Sequence, residues 1–380
     1  MYFDYAATTP PNPEVLDTFL KVNQQFWANP HALHKPGMRA EALLEQSRAQ
    51  ILSLLNADAS YRAIFTSGAT EANNMALKGI AHLYQHRGKH IITSATEHPS
   101  VLEVCKALKT EGFEITILPV NDKGVIETSL LKKALREDTM LVSLMHANNE
   151  IGSLNNLEEL GTCIKENSSA VFHVDGAQSV GKLPLSLNNS TIDMLTFSAH
   201  KFFGLKGAGA LIIRSRIVLP PLFHGGGQES EFRSGTADVA RAAAMAKALR
   251  LALENQETII KRVTSYKNEV AQALLAIDGI ILNGTLEGSS PFVLNVSING
   301  IRPETILQGL AEKEIYISTV SACSARKSNE SSVVLALTGS HERAQSSIRL
   351  SFSARTTKTE IKTLIATLEP TIKALRFSRK

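Results

Sequence analysis

The feature that most constrains this chain is a succession of short, apolar, β-rich runs separated by segments of helical period. The runs fall at 61–67 ("YRAIFTS"), 89–95 ("KHIITSA"), 114–120 ("EITILPV"), 139–147 ("TMLVSLMHA"), 170–175 ("AVFHVD"), 193–198 ("DMLTFS") and 208–214 ("AGALIIR"). Most are continuous rather than alternating, which suits strands covered on both faces. With helix-like stretches such as 70–87 and 156–168 between them, they predict an α/β fold around a mostly parallel seven-stranded sheet with right-handed crossovers. Beyond "HGGGQESEFRSGTAD" at 224–238 the pattern changes. An alanine-rich helical period spans 237–254 and a more polar one continues to 275. Strands follow at 291–298, 315–319 and 348–353, with helices at 303–313 and 358–375. These predict a second, smaller α+β unit, and 380 residues suffice to bury two cores. The expected division is 15–250 for the large unit, with 1–14 and 251–380 forming the small one.

Composition narrows the class. Apolar residues make up 43% and charged ones 20%, as in ordinary globular proteins. A net charge of +4 without a dominant Lys/Arg run gives no case for nucleic acid. Three widely separated cysteines, Cys105, Cys163 and Cys323, form neither a disulfide framework nor a cysteine zinc site, and point to a reducing compartment. "MYFDYAATTPPNPEV" lacks the basic and apolar regions of a signal peptide, and no apolar run approaches the ~20 residues of a membrane span. A cytoplasmic, soluble protein is expected.

In open α/β sheets ligands sit beyond the carboxyl ends of the strands, so the residues following each run carry the argument. "TSGATEANN" turns through Gly68 into a helix opening at Ala69 and Thr70. Such a start can bind a phosphate, although an ordinary Ser/Thr cap explains it too. His98 in "TEHPS" is a loop histidine, a ring to stack on a flat cofactor, or an acid/base group. Asn148, Asn149 and Glu150 follow the fourth run, where turn chemistry alone accounts for asparagines. Asp175 ends an apolar run and needs a partner, which a protonated ring nitrogen would supply; Gln178 follows three residues later. Lys201, in "SAHKFFGLKGAGAL", stands among aromatics, as a desolvated amine suited to Schiff-base chemistry would, with Ser198 and His200 as further phosphate donors. "GLKGAG" leads into a strand instead of opening a helix, so it is no dinucleotide fingerprint. Lysine, carboxylate and anion-binding helix start together describe a pyridoxal-phosphate site. Cys323 is a different puzzle, because "STVSACSARKSNESS" is polar company for a thiol.

The segments "YFDYAATTP", "TSGATEANN", "TEHPS", "NNEIG", "HVDGAQSVGK", "SAHKFFGLKGAGAL", "HGGGQE", "RSGT" and "SACS" resemble, in order and spacing, the NifS/IscS-type cysteine desulfurases, which are fold-type I pyridoxal-phosphate enzymes. The likeness runs from residue 2 to residue 375. It implies that Lys201 carries the cofactor, Asp175 pairs with its ring nitrogen, Gln178 bonds its phenolic oxygen and His98 stacks on the ring and assists proton transfer. Ala69, Thr70, Ser198 and His200 would hold the phosphate, joined by Thr236 from the partner subunit of a homodimer. Asn149 and Arg349 would bind the substrate carboxylate, for which a planar guanidinium is suited. Cys323 would be the nucleophile, taking sulfur from L-cysteine as a persulfide and leaving L-alanine. Only a thiolate does this, and Arg326 and Lys327 nearby favour it. The persulfide would pass to an acceptor protein, an iron–sulfur scaffold or a tRNA- or cofactor-thiolation enzyme. Cys323 is then the one residue placed to touch an iron–sulfur centre during transfer, with no other metal site expected. Neither direct nucleic-acid nor membrane contact is implied. The family commonly has glycine at the positions of Val320 and Ala199, and "NPHALH" at 29–34 adds His31, read as an exposed loop residue. The competing readings are a selenocysteine lyase, another lyase or aminotransferase using the same cofactor, and a non-catalytic scaffold that binds a sulfur-carrier partner.

Overall fold

The computed structural model describes residues 1–319 and 330–377. All seven expected strands form: β1 (Tyr61–Thr66), β2 (His90–Ser94), β3 (Glu114–Leu118), β4 (Thr139–Met145), β5 (Val171–Asp175), β6 (Met194–Ser198) and β7 (Gly209–Arg214). They make one sheet in the order β1-β7-β6-β5-β4-β2-β3. β2 to β6 pair in parallel, whereas β7 runs antiparallel to both neighbours, β1 and β6.

The continuity of the apolar runs has a simple cause, since successive residues enter two different cores. Ile91, Leu141, Val171, Met194 and Leu211 face the helices Ala69–Tyr84 and Pro99–Thr110. Their neighbours Ile92, Val142, Phe172, Leu195 and Ile212 face the helices Leu157–Asn167 and Val239–Leu253. A period-2 pleat with helices on both sides favours apolar side chains at successive positions. Cys105 and Cys163 are buried in these layers as small apolar residues, and burial pushes the Cys105 thiol up to about 12.

The second sheet holds β8 (Ile280–Leu282), β9 (Val293–Ile298) and β10 (Ser347–Ser351), antiparallel in the order β10-β9-β8. One expectation needs correction. Residues 315–319 form no strand of this sheet: Tyr316 and Ser318 make isolated bridges to Tyr2 and Arg349, and the third strand is the short β8. The two expected helices after 237 form as Val239–Leu253 and Gln256–Leu275, separated where Asn255 leaves helical geometry (φ −131°, ψ 28°). The small sheet packs on Gln256–Leu275 and Lys358–Phe377 around Val263, Leu274, Leu294, Ile348 and Leu364. Phe3 joins this core. Its N–H donates to Tyr316 O (2.8 Å) and its carbonyl accepts from Ser351 N (2.7 Å), so the first residues run from the small sheet towards the large one. Among the described residues no helix is long and apolar enough to cross a membrane.

Candidate active site

The carboxyl ends of the parallel strands converge on one cavity. Ala69, Thr70, His98, Asn149, Asp175, Gln178, Ser198, His200, Lys201 and Arg349 line it, together with Ala6 and Ala7. Ten of the expected site residues therefore come together from positions up to 280 residues apart. Thr236 does not: within this chain it lines a separate pocket with Thr66, Ser67 and Gly209. Cys323, Arg326, Lys327 and Val320 lie outside the described residues. His31 is exposed, as expected.

At one end of the cavity the helix Ala69–Tyr84 begins without a side-chain cap, because Gly68 precedes it at φ +155°. Only glycine adopts that conformation readily. The turn is also crowded. A Cβ on Gly209, at the start of β7, would stand 2.5 Å from Gly68 Cα and 2.6 Å from Phe197 O. Glycine at both positions lets β7 press against the turn that aims the helix start. Ala69 N–H donates to Ser198 Oγ (2.6 Å), which leaves the Ser198 hydroxyl proton to donate elsewhere. His200 stands next to it with Nδ1 3.1 Å from Thr8 Oγ1. Burial, then the charges of Lys201, Lys182 and Lys206, pulls its pKa down to about 4, so it is a neutral donor or acceptor. Free helical N–H groups, hydroxyls and the positive dipole end make this an anion cradle.

At the other end Asp175 closes β5, buried, with Oδ1 accepting from Ala177 N and Oδ2 from Asn73 Nδ2, both at 2.9 Å. Lys201 lies between the two ends, its Nζ donating to the carbonyls of Ala6 (2.8 Å) and Ala7 (2.9 Å). Gln178 Nε2 also donates to Ala6 O (3.0 Å), and its Oε1 accepts from the buried Lys182 Nζ (2.8 Å). An ammonium only donates, so Lys182 fixes which end of the Gln178 amide faces inward: the N–H end. His98 caps the helix Pro99–Thr110 through Nδ1, which accepts from Ser100 N (3.1 Å). Burial and the Lys201 charge lower its pKa, against an opposing pull from Asp175. Its neighbour Glu97 is buried against Ser94 Oγ and Met145 N, and burial pushes its pKa up to about 8, so it is a neutral acid at neutral pH.

Arg349, in the middle of β10, is 1% exposed. Its guanidinium donates to Asn149 O (2.9 Å) and pairs with Asp4 (2.7 Å), while its buried Nε has no partner among the described residues. A buried donor left unmade costs about 1–3 kcal/mol, and an anion entering the cavity would relieve it. Asn149 contributes its backbone carbonyl to that arrangement. Asn148 is a turn residue, its Oδ1 accepting from the N–H groups of Glu150 and Ile151.

Asn73, Lys182 and Asp4 escaped the sequence reading. The first two had a visible signal, since each lies four residues after an identified site residue, Ala69 and Gln178, on the same side of a helical turn. Asp4 had none, because its partner is 345 residues away. Among the described residues no group of three or more His, Cys, Asp or Glu could hold a metal ion.

A two-layered α/β sheet with lysine, carboxylate and anion cradle at its carboxyl edge defines a class that the comparisons make specific. The chain belongs to the aminotransferase class-V family, which matches residues 1–364. It is 42% identical to a curated protein of Pectobacterium carotovorum named cysteine desulfurase IscS, over 99% of this chain and 93% of that one. A solved NifS-like protein superposes with a TM-score of 0.92 at 34% identity, covering 99% of each chain. A structure described as SspA in complex with cysteine gives 0.82 at 32%, covering 94% of this chain and 99% of that one.

Proposed function

We propose that this protein is a pyridoxal-phosphate-dependent cysteine desulfurase that converts L-cysteine to L-alanine and collects the sulfur as a persulfide on Cys323. The observation that carries the proposal is the single cavity in which Lys201 lies between an uncapped helix start and the buried, hydrogen-bonded Asp175. That donor set fits the cofactor from end to end. Ala69, Thr70, Ser198 and His200 would hold its phosphate, Asp175 its ring nitrogen and Gln178, through Nε2, its phenolic oxygen. Lys201 would join its carbonyl carbon, and His98 would cover the ring. Once bound, the cofactor supplies an electron sink for negative charge at the substrate α-carbon.

The chain's own residues do the rest. Arg349 takes the substrate carboxylate, which satisfies its orphaned Nε and fixes the orientation of the α-carbon; a cysteine-bound structural relative supports a cysteine-sized site. Lys201, once displaced, removes the α-proton and returns protons to the carbon skeleton. The Cys323 thiolate attacks the substrate sulfur and forms an S–S bond. The C–S bond breaks with its electron pair staying on carbon, which leaves as alanine after protonation. The sulfur then passes to an acceptor protein, an iron–sulfur scaffold or a thiolation enzyme. The active unit is a homodimer in the cytoplasm, with Thr236 of each subunit completing the phosphate site of the other. Residues 15–250 form the cofactor-binding unit, and 1–14 with 251–380 the unit carrying Cys323.

The test is Cys323→Ser. The variant should keep its bound cofactor and form no persulfide when given cysteine, read by mass spectrometry after alkylation. Full desulfurase activity in that variant would remove Cys323 from the mechanism. A keto-acid product in place of alanine would turn the reading to transamination.

A further inference from the structure

Asn73 has no part in the roles above, yet it is fully buried with both ends of its amide engaged. Nδ2 donates to Asp175 Oδ2 (2.9 Å) and to Ser100 Oγ (2.8 Å), and Oδ1 accepts from Thr196 Oγ1 (2.5 Å). A carboxylate only accepts, so the amide nitrogen must be the end that faces Asp175. Its second N–H then occupies Ser100 Oγ as an acceptor. The Ser100 hydroxyl keeps its proton to donate to His98 Nδ1, 2.8 Å away. The Ser100 backbone N–H points at the same nitrogen from 3.1 Å and cannot reverse its role.

Two donors on Nδ1 require a lone pair there, so the proton of the neutral ring resides on Nε2. The polarity extends behind Asn73. The Thr196 hydroxyl, having given its proton to Asn73, accepts from His173 Nε2 (3.3 Å), and His173 Nδ1 takes the Ser143 hydroxyl (2.8 Å). Ser143, His173 and Thr196 are 0% exposed, so no water competes for these bonds. A buried network in which each member has its partner is rigid, and reversing one bond means reversing all of them.

We infer that Asn73, acting through Ser100, is a positioning residue that holds His98 as a neutral ring protonated on Nε2, so that His98 donates a hydrogen bond but takes up no proton during turnover. What lies under the ring rests on the pyridoxal-phosphate reading; the tautomer does not. Proton traffic at the α-carbon then falls to Lys201 alone, which narrows the role that the family resemblance implies for His98. The charged groups acting on the ring are Asp175, at the end of β5, and Lys201, in the turn after β6. They oppose each other, and burial, the largest influence, disfavours the charged ring.

The experiment is nitrogen-15 NMR of the full chain labelled at histidine, with and without bound pyridoxal phosphate, using His98→Gln to assign the ring. Nδ1 should resonate as an unprotonated nitrogen and Nε2 as a protonated one, with the ring titrating below a free imidazole. In Asn73→Ala the serine hydroxyl loses the donor that orients it, and in Ser100→Ala the hydroxyl proton is gone. Each should raise the proton affinity of His98 about tenfold, the effect of one hydrogen bond, and give the pH profile of kcat a limb absent from the parent. Ser100→Thr should restore the parent behaviour. Should Asn73→Ala fail to fold, Ser100→Ala decides. A proton on Nδ1 in the parent chain, or an unchanged His98 titration in Ser100→Ala, overturns the inference. Failure of the chain to bind pyridoxal phosphate would sink the proposed function and leave the tautomer result standing.

Discussion

Replacing Lys182 with methionine should make the protein more stable in mild acid and impair its site. The ammonium is buried and donates to Gln178 Oε1 at 2.8 Å. Burial, then the charges of Lys201 and Arg349, pulls its pKa from 10.5 down to about 7. At 1.36 kcal/mol per pH unit, that gap corresponds to about 5 kcal/mol held against the folded, charged state. Between pH 7 and 10.5 the unfolded chain keeps this proton and the folded chain releases it, so the parent gains stability as pH rises through that window; below 7 the full cost stands. Methionine has similar volume and no charge to bury. With an unfolding entropy of about 2.1 cal/mol/K per residue, 5 kcal/mol is about 6 °C for a chain of this length. Lys182→Met should therefore melt about 6 °C above the parent at pH 6, with the advantage fading towards pH 10. Scanning calorimetry at one scan rate measures the difference, since large enzymes often unfold irreversibly. An offset that does not change between pH 6 and 10 would refute the buried-charge argument. The same variant leaves the Gln178 amide free to turn its oxygen inward, so pyridoxal phosphate should bind more weakly even as the fold gains stability. Unchanged affinity would mean that Gln178 keeps its orientation without the lysine.

Two further substitutions test the ends of the cavity. Arg349→Lys keeps the charge and loses the fork, so kcat/KM for cysteine should fall roughly 10- to 150-fold, the worth of one charge-assisted hydrogen bond; an unchanged value would place the substrate carboxylate elsewhere. Gly209→Ala drives a methyl group into Gly68 Cα and Phe197 O, and overpacking of about 1–3 kcal/mol should lower Tm by a few degrees and weaken cofactor retention in equilibrium dialysis. Full retention would show that this turn is not where the phosphate sits.

The large sheet was legible because most of its strands carry apolar residues at successive positions, as burial on both faces favours. β8 was not, since three residues of which one is fully buried carry no period. Residues 315–319 have strand composition, but whether such a run pairs depends on what lies beside it, here Tyr2 and Arg349 from the two extremes of the sequence. The site divides in the same way. Asp175 and Lys201 stood out because a carboxylate or lysine is a conspicuous end to an apolar strand. Asn73 and Lys182 were not singled out, because their burial is created by elements far along the chain, as Asp175 is for Asn73, 102 residues on. Charge and motif can be read locally, whereas the hydrogen-bond polarity that orients them belongs to the tertiary structure.

The pairing of Asp4 with Arg349 also sets a schedule. The acceptors of Lys201, the carbonyls of Ala6 and Ala7, are made well before it, and Arg349 emerges 345 residues after Asp4. At roughly 5–20 residues per second, roughly 17–70 s separate the two. For the last 148 of those residues, from Lys201 to Arg349, the nascent chain has the lysine, the carboxylate and the proposed phosphate turn but not the proposed donor for a substrate carboxylate. A polypeptide cut short before β10 could therefore capture a reactive aldehyde and never discharge it usefully. Synthesis of β10, which carries Arg349, is what would turn a cofactor trap into an enzyme.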